Sequence, residues 1–200
     1  TVDDSWTTLA PMPRPRDHFD PVIIDGKFYA IAGRDTAINS TYNNTDIYDI
    51  ATDSWSTGTP IPTARGGYGA EVLQGRIIVI SGEGSGPNNG TFPHVEEYDP
   101  ARDTWRRLAD VPTSRHGFGP VNIGLEAGTP ALYTVSGGPR QGYSHTTVHE
   151  VFRFEVCDAI RDCDDGNPCT TDVCNPGGGC RNIPVADGSV CDDGVACTGN

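Results

Sequence analysis

Trp6, Trp55 and Trp105 are the only tryptophans in the chain, and they stand 49 and 50 residues apart. Each closes nearly the same phrase: Asp-Asp-Ser-Trp, Thr-Asp-Ser-Trp and Arg-Asp-Thr-Trp. A recurrence at this period restricts the chain to an array of supersecondary units, because each unit alone is too small to bury its own apolar face. Other residues keep the same period. Arg16, Arg65 and Arg115 recur at 49 and 50, Tyr48 and Tyr98 at 50, and Gly33 and Gly82 at 49.

One unit, Arg65 to Trp105, shows what repeats. Gly69 to Leu73 is short and apolar, and Gln74-Gly75 is a turn pair. Ile77 to Ile80 is a β-branched run that favours a buried strand. Ser81-Gly82 stops it, and a Gly-, Asn- and Pro-rich loop follows, Glu83 to Pro93. Val95 to Tyr98 alternates, Asp99-Pro100 turns, and Thr104 to Arg106 begins a fourth strand. The first unit repeats this order, with Asp25-Gly26 suited to a type I′ turn that needs positive φ at both central residues. Helical spacing is nowhere sustained, and 25 glycines with 16 prolines suit tight turns rather than helices. Four short strands repeated about every 50 residues describe a propeller blade. The tryptophans are then packing anchors that supply apolar area.

These motifs resemble kelch repeats over residues 1–156. The resemblance rests on Pro15-Arg16, Ala32-Gly33-Arg34, Tyr48-Asp49 and Trp55, then on Ala64-Arg65, Ser81-Gly82-Glu83, Tyr98-Asp99-Pro100 and Trp105. The third unit gives Ser114-Arg115-His116, Ser136-Gly137-Gly138 and Phe152 in the tyrosine position. It implies an all-β fold: a partial kelch β-propeller of about three four-stranded blades, followed by a small disulfide-rich, loop-dominated C-terminal segment. The blades are expected at about 11–59, 60–110 and 111–156, with 1–10 an orphan fourth strand. The structural anchors are Trp6, Trp55, Trp105, Tyr48, Tyr98, Gly33, Gly82 and Gly138. The third unit has a longer first hairpin, Ile123 to Thr129, and no tryptophan before Cys157. Trp6 either completes that unit or belongs to a blade absent from the chain. Propellers usually have about 4–8 blades, so missing N-terminal blades are expected, with an open arc as the alternative.

All seven cysteines lie between 157 and 197, which places a domain boundary near 156. A segment this small and polar cannot build a core, so covalent staples must replace one. Cys163-Asp-Asp-Gly-Asn-Pro-Cys169-Thr returns 28 residues later as Cys191-Asp-Asp-Gly-Val-Ala-Cys197-Thr. The pattern resembles the cysteine-rich repeats of slime-mould extracellular matrix proteins, with Asp172-Val-Cys174 and Gly179-Cys180 continuing the match. The second copy stops before its last two expected cysteines. Cys157, Cys163, Cys169, Cys174, Cys180 and Cys191 are the expected disulfide formers, and Cys197 the thiol left over. Spacing does not give the connectivity. Zinc is the alternative, but the spacings are wider than the short Cys pairs of structural zinc sites. Asp162, Asp164, Asp165 and Asn167 around Gly166 read as a solvated acidic turn held by Cys163 and Cys169, and no cofactor is expected; calcium, which such hard oxygens can hold, is the alternative. They lack the alternation and distal glutamate of an EF-hand loop.

Disulfides imply an oxidising compartment, so the protein is expected to be secreted or on a cell surface, extracellular or periplasmic. The net charge of −13 argues against nucleic acid, which requires a basic stripe. No apolar run is long enough to span a membrane. The expected partner is a protein or a carbohydrate. Loops 34–45, 83–94 and 139–147 are the expected recognition elements, since loops on a fixed scaffold carry function. Arg34, Arg140, His18 and Glu83 are the candidate ligand-contacting residues; guanidinium groups hold carboxylates bidentately. The recurring Arg16, Arg65 and Arg115 read as structural. His145 and His149 flank an expected strand, Thr146 to Val148. No catalytic set is visible: the repeats contain no cysteine for a copper–tyrosine site, and neither a phosphate loop nor a nucleophile elbow occurs. The chain therefore reads as a non-catalytic extracellular binding or adhesion module. A fragment of a secreted kelch enzyme with its site elsewhere, and a structural matrix protein, are the alternatives.

Overall fold

The computed structural model describes residues 4–126, 129–154, 166–167, 169–174 and 180–185. No helix occurs among them, and hence no helix long and apolar enough to cross a membrane. The chain divides into two compact units, Thr1–Ile123 with Leu132–Phe152, and Gly124–Ala131 with Arg153–Asn200.

Four strands build the first blade in simple meander order: β1 (Val22–Ile24), β2 (Lys27–Ile31), β3 (Thr45–Asp49) and β4 (Ser54–Gly58). The second blade has the same order from β5 (Gly69–Leu73), β6 (Arg76–Ile80), β9 (Val95–Asp99) and β10 (Thr104–Arg107). Between its second and third strands, β7 (Glu83–Gly86) and β8 (Gly90–Thr91) pair as a small hairpin. The segment 83–94, expected as a loop, is therefore partly a strand pair, because Asn88, Gly90 and Thr91 allow a tight reversal within it. A third sheet runs β11 (Val121–Glu126), β12 (Thr129–Val135) and β13 (His149–Arg153). The strands read from the sequence of the second unit match β5, β6, β9 and β10 to within one residue. Both first hairpins turn through paired left-handed residues, Asp25-Gly26 and Gln74-Gly75, as a type I′ turn requires.

The apolar core lies between the first two blades. Val22, Tyr29, Ile31, Ile61, Tyr68, Ala70, Ile77, Val79 and Tyr98 form one buried cluster, with Trp105 packed against it. Strand β9 does not alternate in burial as expected; all five residues are buried, because it is an interior strand whose acidic side chains find arginine partners.

That pairing recurs in every blade. The side chains of Arg16, Arg65 and Arg115 are fully buried. Arg16 meets Asp46 on β3 and donates to the carbonyls of Ala30 and Ala32 at 2.9 and 2.8 Å. Arg65 donates to Glu96 on β9 at 2.6 Å and to the Val79 carbonyl at 3.4 Å. Arg115 donates to Glu150 on β13 at 2.6 Å and to the Thr134 carbonyl at 3.4 Å. Burial pulls the Arg65 guanidinium down to about 10, against the opposing pull of Glu96.

The tryptophans work as latches. Trp55 Nε1 donates to the Ala10 carbonyl at 3.0 Å, and Ala10 N donates to Asp53 at 2.8 Å. Trp105 and Asp103 hold Thr59 in the same way, at 2.8 and 2.6 Å. Tyr48 and Tyr98 orient these aspartates by hydroxyl bonds of 2.6 and 2.5 Å, and the bond to Asp53 pushes Tyr48 up to about 12. Trp6 departs from this pattern. Residues 4–10 form no strand, and Trp6 is 103% exposed, so it anchors nothing among the described residues. A strand needs a ladder partner for its backbone groups; in this segment Ala10 is tied to Asp53 and Trp55. Of the two glycines in the third unit, Gly137, with φ 88, is the backbone counterpart of Gly33 and Gly82, at φ 87 and 113, while Gly138 is required by close packing, since a Cβ there would come within 2.7 Å of the Ser144 carbonyl oxygen. A second correction concerns Thr146 to Val148, which form no strand; β13 begins at His149, whose ring lies 5.6 Å from that of Tyr133.

Two outcomes are expected. Arg65→Met leaves Glu96 charged and buried, and should cost about 3–5 kcal/mol, whereas Arg65→Met with Glu96→Leu should recover most of that. A urea titration showing a loss below about 1 kcal/mol for the single variant would remove the pair from its anchoring role. The second concerns His94, whose Nδ1 lies 3.0 Å from Thr63 Oγ1. Burial first, then Arg107 and Arg65, hold its pKa below the ordinary value. The unfolded chain binds the extra proton first, so this contribution is present above about pH 6.5 and lost as pH falls through the lower folded value. Replacing His94 by Asn should flatten the fall of melting temperature on acidification below about pH 6.5; an unchanged slope would contradict this.

Candidate functional site

Each blade's second strand ends in two left-handed residues: Ala32-Gly33, Ser81-Gly82 and Ser136-Gly137. This reversal brings the next residue, Arg34, Glu83 or Gly138, beside the segment that opens the blade. The bridges Asp17 to Arg34, Gly66 to Glu83 and His116 to Gly138 are equivalent. The residues that follow the opening partners, His18, Gly67 and Gly117, all have positive φ. Their backbones run from blade to blade: Gly67 N donates to the His18 carbonyl at 2.6 Å, and Gly117 N to the Gly67 carbonyl at 2.7 Å. His18 therefore occupies a left-handed position that its counterparts fill with glycine, a conformation uncommon for a side-chain-bearing residue.

This frame gathers three of the four sequence candidates. Glu83, 2% exposed, accepts from Arg34 at 3.0 Å and from Gly142 N at 2.9 Å. His116 Nδ1 stands 3.7 Å from the same carboxylate. Arg34 also donates to Asp17 at 3.1 Å and lies 2.6 Å from His18 Nε2. His18 Nδ1 is 3.0 Å from Asp17, so both ring nitrogens face polar partners. Slight burial would raise the Asp17 carboxyl, but the hydrogen bonds from Arg34 and His18 outweigh it and hold the group below its usual value.

Arg140 does not join this cluster through its side chain, which is exposed. Its carbonyl accepts from Ser144 Oγ at 2.6 Å and lies 3.0 Å from His116 Nε2. Gln141, which the sequence reading passed over, ties the loops together. Its Nε2 donates to Asn39 Oδ1 at 2.6 Å and to the Gly84 carbonyl at 2.7 Å, and its backbone N donates to the Asn89 carbonyl at 3.0 Å. Gly90 leaves room for it; a Cβ there would come within 2.5 Å of Gln141. Tyr143 beyond is 99% exposed, with His145 edge-on at 6.3 Å. Asp17, His116 and Gln141 were all missed. The repeat register signals the first two, since each follows a repeat-opening arginine. Gln141 has no counterpart in the period.

Chemically, Arg34 and Glu83 neutralise each other, and every carboxylate oxygen of Glu83 has a partner. Among the described residues no group of three His, Cys, Asp or Glu side chains could hold a metal ion. In the tail, Asn167 Oδ1 accepts from Cys169 N at 3.0 Å, and Cys169 is disulfide-bonded. Asp162, Asp164, Asp165, Cys157, Cys163, Cys191 and Cys197 lie outside the described residues.

The kelch motif matches residues 15–62 and 64–112. The chain carries kelch repeats. A Dictyostelium (slime mold) repeat matches residues 162–185. Among solved structures, that of YjhT superposes on 80% of this chain and 57% of its own, with a TM-score of 0.61 and 17% identity; at that identity the likeness concerns the fold. A cyclic nucleotide phosphodiesterase inhibitor of Dictyostelium discoideum is 50% identical over 38 residues. That stretch is 19% of this chain and 14% of the relative. The chain thus spans just over half of the kelch neighbour and a small part of the slime-mould protein. The fold is that of a partial kelch β-propeller, and kelch repeats suggest a protein-binding propeller.

Gln141→Ala should leave the melting temperature nearly unchanged and speed amide exchange in both 35–41 and 84–90. Exchange that accelerates only next to residue 141 would mean that the loops are not held as one unit.

Proposed function

We propose that this chain is a non-catalytic binding module that works outside the cell, its kelch loops recognising a protein or a glycan and its cysteine-rich segment serving as a stalk. The observation that carries this reading is the loop cluster. Arg34, Glu83, Gln141 and Gly142 are engaged with one another's loops, while Arg140 and Tyr143 on the same fixed loop project into solvent. Exposed Tyr and Arg on a preorganised support are the residue types that dominate binding interfaces. The mutual neutralisation of Arg34 and Glu83 leaves that pair suited to holding loops rather than to exchanging protons. The disulfide at Cys169 supports an oxidising compartment.

A glycan array and a panel of extracellular proteins, probed with wild type and with Arg140→Glu, Tyr143→Ala, test it. The expected result is a retained melting temperature and binding weaker by at least about tenfold. Equal binding by the variant would move recognition away from this loop face. Turnover of a bound glycan by wild type would overturn the non-catalytic reading.

A further inference from the structure

The tail hairpin fixes a relation between two cysteines that their spacing in the sequence leaves open. Strands β14 (Thr170–Cys174) and β15 (Cys180–Pro184) pair antiparallel, with Thr170 opposite Pro184, Asp172 opposite Asn182 and Cys174 opposite Cys180. Facing residues in such a ladder alternate between hydrogen-bonded and non-hydrogen-bonded pairs. The Val185 amide donates to the Cys169 carbonyl at 3.0 Å, and the same register sets Cys169 opposite Val185, so that pair is hydrogen-bonded. Counting along the strand from there, the pair of Thr170 with Pro184 is non-hydrogen-bonded, and so is the pair of Cys174 with Cys180. Pro184 agrees independently, because proline has no N–H to give and fits where the ladder asks for none.

At a non-hydrogen-bonded pair the Cα atoms approach to about 4.5 Å, inside the range of about 4.4–6.8 Å that a disulfide spans. Cys169 is disulfide-bonded, but neither Cys174 nor Cys180 is within its reach. Five residues of strand separate it from Cys174 along the ladder, roughly 16 Å at the usual rise, well beyond the limit of about 7 Å. We infer that Cys174 and Cys180 are bonded to each other as a cross-strand disulfide closing the hairpin, and that Cys169 is bonded to a cysteine outside it. Formation is an exchange: a Cys174 or Cys180 thiolate attacks an incoming disulfide, and the second thiolate displaces the carrier. The two protein thiols are oxidised, and their two protons pass to the carrier sulfurs, so that the carrier disulfide is reduced to two thiols.

The full chain tests this without mutation. After alkylation of free thiols at acid pH, unreduced protein is cut with trypsin and an Asp-N protease. The peptide Asp172 to Arg181 contains Cys174 and Cys180 and no other cysteine. The expected product is that peptide alone, unalkylated and two hydrogens lighter than the dithiol. Its recovery joined to a second cysteine peptide, or as the doubly alkylated dithiol that metal-bound thiolates would give, overturns the assignment. Thiol counts under denaturing conditions with chelator give a second reading. Cys174→Ser and Cys180→Ser should each expose one new thiol, and the double variant none beyond wild type. A double variant exposing two new thiols would mean that each cysteine has a different partner.

Discussion

The buried arginine that opens each repeat is the interaction on which the rest of the fold depends. Arg16, Arg65 and Arg115 sit ahead of their sheets, yet each reaches a carbonyl on the second strand, Ala30, Val79 or Thr134, and a carboxylate on the third, Asp46, Glu96 or Glu150. One side chain thereby ties three segments of a blade. Arginine suits the position because its planar fork satisfies several acceptors at once and keeps its charge when buried. A fully buried ion pair adds little net stability compared with apolar side chains of the same shape. Its effect here is on register: Glu96 can meet Arg65 only if β9 lies against β6 as observed.

The loop cluster inherits its geometry from that constraint. Asp17, Gly66 and His116 directly follow the three arginines, and each bridges to the residue after its blade's glycine stop. Fixing the arginine therefore fixes the opening segment, and the opening segment fixes where Arg34 and Glu83 stand. The carbonyl-to-amide bonds from His18 to Gly67 and from Gly67 to Gly117 then join neighbouring blades on the same side. At the fourth strands the Trp–Asp latches perform the corresponding task, holding Ala10 and Thr59. Two sets of bonds, one around the loop cluster and one beyond it, keep adjacent blades in step.

How much of this the sequence disclosed follows from how each feature is encoded. Strands β5, β6, β9 and β10 were legible because β-branched runs and turn pairs are local signals. The structural role of the arginines was legible from their period, but their carboxylate partners were not. Asp46, Glu96 and Glu150 look like ordinary polar residues of an alternating strand, and only the fold shows that β9 is buried throughout. Gly137 and Gly138 look alike in sequence, but their reasons for being glycine differ: Gly137 has φ 88, and Gly138 has no room for a Cβ. Trp6 carries the repeat signature and yet stands in solvent, since a signature names the position a residue fits and cannot supply the sheet it would pack on.

Comparing the repeats column by column separates support from surface. The arginine column is invariant, and so is the left-handed glycine at 33, 82 and 137. The columns one residue later differ in every blade: Asp17, Gly66 and His116 on one side, Arg34, Glu83 and Gly138 on the other. Positions held by burial and backbone geometry tolerate only one residue type, and Gly138 is of that kind, since a Cβ there would come within 2.7 Å of the Ser144 carbonyl oxygen, whereas Arg34 and Glu83 at the mouth of the frame differ in chemistry. Divergence there still has a physical limit. Glu83 lies almost wholly buried and would be costly as an isolated charge, so it requires Arg34 from the preceding blade and the Gly142 amide from the following one. The three loops are consequently interdependent: a change of charge at one column has to be matched in the neighbouring blades, and the exposed Tyr143 and Arg140 on the third loop are the part of this face that can vary without such compensation.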